Sequence, residues 1–326
     1  MFRKNDEDAM TTVPGFDLVQ TFQIERFNVR GRLVRLHDTI GDLCARHDYP
    51  PLVAARIGEA AALTAVLASS LKYDGMFSLQ IQGDGPLSMI LIDLGSDGAM
   101  RGYARFDADG VNMLEDADTA PDTAHLLGAG HMAFTVDQGA DMERYQGVTA
   151  LTGGSLAGAA HEYFRQSEQL PTEITLFNAT ATDGAISSGA LMIQKMPDHG
   201  GNRGRNDNEG DPERRQADDN DWRGAVMKLR SMTSEEFLSP ELSPETLAYR
   251  LYHEDGVRAF EAKALFQRCR CSREKVIATL KSFPRDEIID ETGTVLVVCE
   301  FCKRDYRFDG PALDDIYRPA EGDEPS

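Results

Sequence analysis

The sequence predicts an α+β protein: an N-terminal mixed core domain with antiparallel strands and packed helices, a helical linker, and a small C-terminal four-cysteine zinc module. Three observations predict it. A helix-period apolar run is followed by segments that alternate apolar and polar residues. The strands come in a block rather than in turn with helices, which argues against a doubly wound parallel sheet. Four of the five cysteines fall in two tight pairs near the C-terminus.

From Pro50 to Lys72, the positions Val53, Ile57, Ala60, Thr64, Leu67 and Leu71 recur at three and four residues, the spacing of one helix face. This reads as a core-packing helix. After Gly75 the period drops to two, with Phe77, Leu79 and Ile81 alternating with Ser78, Gln80 and Gln82. Gly83-Asp84-Gly85-Pro86 reads as a hairpin turn into a strand from Leu87 to Leu94, and Gly95 to Gly98 as a second turn into Met100 to Phe106, an antiparallel meander. A further helix is expected from Ser155 to Gln169, with Leu156, Ala160, Tyr163, Phe164 and Ser167 to one side, and a strand from Glu173 to Ala179. These elements assign residues 1–197 to the core domain.

Between Asp198 and Asp221 the only non-glycine apolar side chains are Pro212 and Ala217, so residues 198–221 are expected to be a disordered polar insertion. Order is expected to resume at Trp222. Ser243-Pro244 suits the cap and first turn of a helix carrying Leu247, Leu251 and Tyr252, and residues 222–267 read as a helical connector. Residues 268–310 form the cysteine module and residues 311–326 an acidic tail.

The formal net charge of -20 repels nucleic-acid phosphate and anionic membranes, so neither is an expected partner. The first ten residues, MFRKNDEDAM, carry acids where a signal peptide needs an apolar stretch, and no later run approaches eighteen consecutive apolar residues. The expectation is a cytoplasmic protein, in which thiols stay reduced.

Cys269-Arg270-Cys271 is a C-x-C pair and Cys299-Glu300-Phe301-Cys302 a C-x-x-C pair, separated by 27 residues. Two close thiol pairs from distant segments suit the tetrahedral four-sulfur set of a closed zinc site, and with no histidine after His253 one Zn2+ on four thiolates is the simplest assignment. Val295 to Val298 reads as a strand, Tyr306 and Phe308 alternate after the second pair, and Ser272 suits a helix cap ahead of Val276, Ile277 and Leu280. The apolar content of this module is small, so metal binding would supply its folding free energy, about 10–16 kcal/mol for structural zinc in small peptides. Oxidising the thiolates would remove the ligands and unfold the module. A non-switching zinc-ribbon adaptor protein and a thiol-disulfide oxidoreductase working through Cys299 and Cys302 stay open on these residues alone; the latter needs a thioredoxin-like context that the flanking strand pattern lacks.

Cys44, alone in a helical context, is expected to be a buried apolar residue outside the switch. Gly153-Gly154-Ser155 approaches a nucleophile elbow without its spacing, so Ser155 is expected to be a helix cap and the protein not an enzyme. Gly83-Asp84-Gly85 is too short for a phosphate cradle. Ser167-Glu168-Gln169 reads as a polar helix end or a functional surface.

The cysteine pattern, with Arg30-Gly31-Arg32, Gly83-Asp84-Gly85-Pro86-Leu87, Arg101-Gly102-Tyr103-Ala104, the segment Tyr163 to Gln169 and Cys271-Ser272-Arg273-Glu274, resembles the redox-regulated 33-kDa heat-shock chaperonin family from about Phe22 to Phe308. The resemblance implies an ATP-independent holdase chaperone, inactive when reduced and zinc-bound. Oxidation would form disulfides Cys269-Cys271 and Cys299-Cys302, release zinc, unfold the linker and expose a surface that binds unfolding client proteins. It further implies a homodimer when oxidised. Leu247, Leu251, Tyr252, Val257 and Phe260 are client-site candidates by location alone.

Overall fold

Two strands largely buried on both faces come first among the described elements, β1 (Leu18–Ile24) and β2 (Val29–Leu36). The structure, a computed structural model, describes residues 15–115, 123–138, 144–151, 154–196 and 212–318. Contacts divide the chain into two units, Met1–Gln267 and Arg268–Ser326.

In the first unit, α1 (Asp38–Cys44) and α2 (Pro51–Ala68) follow. Pro51 occupies the first turn of α2, where its missing N–H costs nothing. The helix is alanine-rich and buried nearly all round, and so has little amphipathic asymmetry. It is long and apolar enough to cross a membrane, but most of it is enclosed by the two sheets. At Gly58 it comes so close to the sheet that a Cβ would lie 2.2 Å from the Ser188 hydroxyl.

The expected meander is present as β3 (Met76–Gly83), β4 (Leu87–Gly95) and β5 (Ala99–Phe106), paired antiparallel in order. Phe77, Leu79 and Ile81 are all fully buried, as the period-two pattern demands. Two short helices, α3 (Ala108–Glu115) and α4 (Thr123–Leu127), lead to β6 (Gly130–Asp137) and β7 (Tyr145–Ala150). The helix read from Ser155 to Gln169 is two pieces: α5 (Leu156–Tyr163), capped by Ser155, and a wider π-turn over Phe164–Glu168 that ends in left-handed Gln169. Strands β8 (Thr172–Thr180) and β9 (Ile186–Lys195) complete the core.

One sheet runs β8-β9-β2-β1, the other β7-β6-β3-β4-β5, and α2 lies between them in one apolar cluster. The outer face of the first sheet carries Phe22, Ile24, Leu33, Phe177, Leu191 and Ile193. It is covered by the connector helices α6 (Pro212–Arg230), α7 (Ser234–Phe237) and α8 (Pro244–Tyr252).

Three expectations change here. Residues 212–221, assigned to a disordered insertion, form the first turns of α6, and the rest of that insertion lies outside the described residues. Pro212 starts the helix, and the packing of Trp222, Ala225 and Leu229 anchors its second half. The connector is also not helical to its end: after a 3-10 turn at His253–Asp255 come β10 (Val257–Ala259), β11 (Lys263–Ala264) and β12 (Phe266–Gln267). The first two pair with β1 and the third with β5, so this segment straps one sheet to the other. Backbone groups of edge strands decide this, a signal absent from side-chain periodicity.

The second unit contains α9 (Arg273–Leu280), α10 (Arg285–Ile288), the hairpin β13 (Val295–Val298) with β14 (Asp305–Phe308), and α11 (Gly310–Tyr317). The third change concerns α11: most of its residues were read as acidic tail, yet Asp309 caps it and Leu313 and Ile316 are buried in the small core with Leu280, Val295, Tyr306 and Phe308. The expected caps Ser272 and Ser243 both accept the backbone N–H three residues on.

Candidate metal centre

Local structure sets each cysteine. Cys271 immediately precedes the Ser272 cap of α9, while Cys299 and Cys302 lie in the knuckle between β13 and β14. That knuckle is closed by Cys299 N–H to Arg304 carbonyl at 3.0 Å and Lys303 N–H to Cys299 carbonyl at 2.8 Å, with Lys303 left-handed at φ 54. The C-x-C pair thus arrives from a helix N-terminus and the C-x-x-C pair from a hairpin tip.

All four sulfurs lie within 4.8 Å of one another. The Cys269–Cys299 separation is 3.7 Å and the Cys271–Cys302 separation 3.5 Å. A tetrahedron with Zn–S bonds of 2.3 Å has edges of about 3.8 Å, so the spacing fits one zinc ion and is far too long for S–S bonds. The donor set, four soft thiols at metal-ligand spacing, therefore fits the group the sequence implies.

The thiols are not equivalent. Burial pushes the Cys269 thiol up and the Cys302 thiol up to about 12. Cys271 falls to about 7: burial alone would raise it, but the Tyr306 hydroxyl, donating to Cys271 Sγ at 3.1 Å, and the neighbouring cysteines outweigh it. The sequence pattern places Tyr306 on a strand but carries no sign that its hydroxyl reaches Cys271. The pleat signals the face, while hydroxyl reach depends on the hairpin register, Val297 opposite Tyr306.

The remaining candidates lie elsewhere. Cys44 ends α1 in the first unit, half-buried, its thiol pushed up to about 11 by burial. Ser155 Oγ accepts Gly158 N–H at 3.0 Å, the capping role expected. Asp84 at the hairpin turn accepts Ala129 N–H at 2.7 Å. Glu168 accepts from two tyrosines rather than marking a plain helix end. Leu247 and Tyr252, on the connector, are fully buried against the first sheet's outer face, Leu251 and Val257 pack beside them, and Phe260 is exposed. Arg35 escaped notice in the sequence: it is fully buried, stacked 4.0 Å from the Phe16 ring, and donates to the carbonyls of Leu242 and Ser239 on the connector.

A family model described as Hsp33 protein matches residues 17–309. A 33 kDa chaperonin of Caulobacter vibrioides (strain NA1000 / CB15N) is 39% identical over 301 residues, covering 90% of this chain and 95% of the relative. A 33 kDa chaperonin of Ectopseudomonas mendocina (strain ymp) is 34% identical over 314 residues, covering 95% and 98%. The crystal structure of the 33 kDa chaperonin (heat shock protein 33 homolog) from Thermotoga maritima superposes with a TM-score of 0.77 at 21% identity, over 92% of this chain and 97% of that one, a likeness of fold.

Proposed function

Since the chain belongs to the Hsp33 family, we propose that it is an ATP-independent holdase chaperone switched by oxidation of Cys269, Cys271, Cys299 and Cys302. The observation that carries the reading is the four-sulfur cluster inside a module with a small core of its own. When bound, zinc supplies the cross-links that this core lacks. In the reduced protein the four thiolates hold the module folded.

Each close pair of thiolates, Cys269 with Cys271 and Cys299 with Cys302, gives up two electrons to one peroxide molecule, which takes two protons from solvent. The peroxide O–O bond breaks, two waters leave and one S–S bond forms. The thiolates are then spent as ligands, zinc is released and the module unfolds. The strap from Val257 to Gln267 ends two residues before Cys269, so loss of the module frees its downstream anchor. Release of the connector would bare the outer sheet face with Phe22, Leu33 and Leu191, together with Leu247 and Tyr252 on the connector itself. One apolar face serves docking in one state and client binding in the other, and activated copies pair as homodimers. The cytoplasm, where thiols stay reduced until stress, suits such a switch.

The test treats purified reduced protein with peroxide at mildly elevated temperature and follows metal release and suppression of aggregation of an unfolding test protein in the same sample. Both rise together and both reverse with dithiothreitol. Metal loss without aggregation suppression would leave a structural zinc site and sink the chaperone reading.

A further inference from the structure

Away from the cysteines, the first unit holds a cavity of about 90 Å³ walled by aromatic rings, with one carboxylate among its lining residues. Phe77 and Phe134 stack at 5.7 Å, and Phe134 meets Tyr163 edge to face at 4.5 Å. Gly147 permits this closure, since a Cβ there would lie 2.4 Å from the Phe134 ring and 2.6 Å from that of Tyr163. Tyr145, on the last strand of its sheet, and the half-buried Glu168 complete the polar side.

The π-turn explains how Glu168 gets there. Residues five apart are misaligned on an α-helix, where partners are three or four apart, but they come together on the wider turn. Tyr163 and Glu168 are five apart, and the Tyr163 hydroxyl donates to Glu168 Oε1 at 2.8 Å. Tyr145 Oη lies 2.8 Å from the same oxygen and within reach of Tyr163 Oη, so the two hydroxyl protons serve two of these three contacts at a time. Among the described residues no arginine or lysine pairs with Glu168; Arg165, on the same turn, is paired with Glu162 instead. A partly desolvated carboxylate among aromatic rings makes a negative pocket with an apolar skin. Its complement is a cation with an apolar skin, as in aromatic cages.

We propose that this cavity binds an organic cation, an alkylated ammonium group or the end of a lysine side chain, with Glu168 as counter-ion and the Tyr145, Tyr163 and Phe134 rings as walls. A free amine reaches it directly; a polypeptide would bring its side chain in along the open edge of β7.

The reduced full-length protein, with labelled tyrosine and phenylalanine rings, is titrated with choline and with its uncharged isostere, in which carbon replaces the nitrogen. Choline gives saturable shifts at Tyr145 and Tyr163, and the isostere does not. Glu168→Gln keeps an acceptor for both hydroxyls and weakens choline binding at least about tenfold, a change of about 1.4 kcal/mol, at an unchanged melting temperature. If that variant fails to fold, the comparison of choline with its isostere on the wild-type chain decides alone. Tighter binding of a short lysine peptide than of choline, with slowed amide exchange along β7, assigns the cation to a polypeptide; equal or weaker peptide binding assigns it to a small amine. No saturable shift, an equal response to the isostere, or undiminished binding by a folded Glu168→Gln protein would overturn the proposal. The reading does not depend on the redox switch.

Discussion

The inner core of the first unit and the core of the cysteine module are built on opposite terms. The former packs α2 between two sheets, with strand registers up to nine pairs long and side chains such as Val34, Leu63, Phe77 and Ile90 fully buried. The latter is a 59-residue unit with two four-residue strands and a buried cluster of Leu280, Val295, Tyr306, Phe308, Leu313 and Ile316. Apolar burial of the first kind sustains a fold unaided; the second is below the size at which a core usually does so. On the proposed function, a protein with both would hold one region constant while thiol chemistry sets the state of the other.

Breaking the comparison at its weaker end gives the largest effect. Cys302→Ser, or chelation of the metal from the reduced wild type, is expected to remove about 10 kcal/mol or more of apparent stabilisation from the module. The near-ultraviolet and amide signals of residues 268–318 collapse, while the β3–β6 amides keep their exchange protection. Loss of protection in both units together would show that the core also leans on the metal.

The connector is the intermediate case. Phe237 is fully buried and stacks 4.0 Å from Phe177 on the outer sheet face. Phe237→Ala is expected to cost about 3–5 kcal/mol in denaturant unfolding and to lower the oxidant dose at which aggregation is suppressed. Arg35 tests the same seam by polarity. Arg35→Met removes the charge-assisted bonds to Leu242 and Ser239 and leaves those carbonyls without their donor, a loss of about 2–3 kcal/mol, with the metal affinity of the module unchanged. A smaller probe returns to the module: Ser272→Ala deletes the cap of α9 beside Cys271, about 1 kcal/mol, read as faster transfer of metal to a chelator.

Legibility follows the same division. Side-chain periodicity revealed α2 and the β3–β5 meander because each buries a regular face, and cysteine spacing pointed to four thiols that the fold brings within 4.8 Å of one another. Backbone pairing at sheet edges leaves no such trace, so the strap at Val257, Lys263 and Phe266 read as helix. The acids of α11 masked Leu313 and Ile316, although Asp309 and Pro311 are a cap and first-turn pair. Arg35 and Tyr306 act through reach across the fold, Arg35 to Leu242 and Tyr306 to Cys271, distances set by tertiary structure.

The smallest effect sets cysteine against cysteine. Cys271 in the module falls to about 7, while burial lifts Cys44 in the first unit from 9.0 to about 11. A thiol raised on folding holds its proton more tightly in the folded chain, so the unfolded chain ionises first. Stability from this group is therefore whole below about pH 9 and declines as pH rises from 9.0 towards 11. Cys44→Ala is expected to make the decline over that window shallower in denaturant unfolding of the reduced protein. In metal-free reduced protein at neutral pH, where the module has unfolded, its thiols, Cys271 among them, should be alkylated first, and Cys44 should resist until the core opens. An equal alkylation rate at the two sites would mean that Cys44 is not shielded and that the first unit opens far more readily than its packing implies.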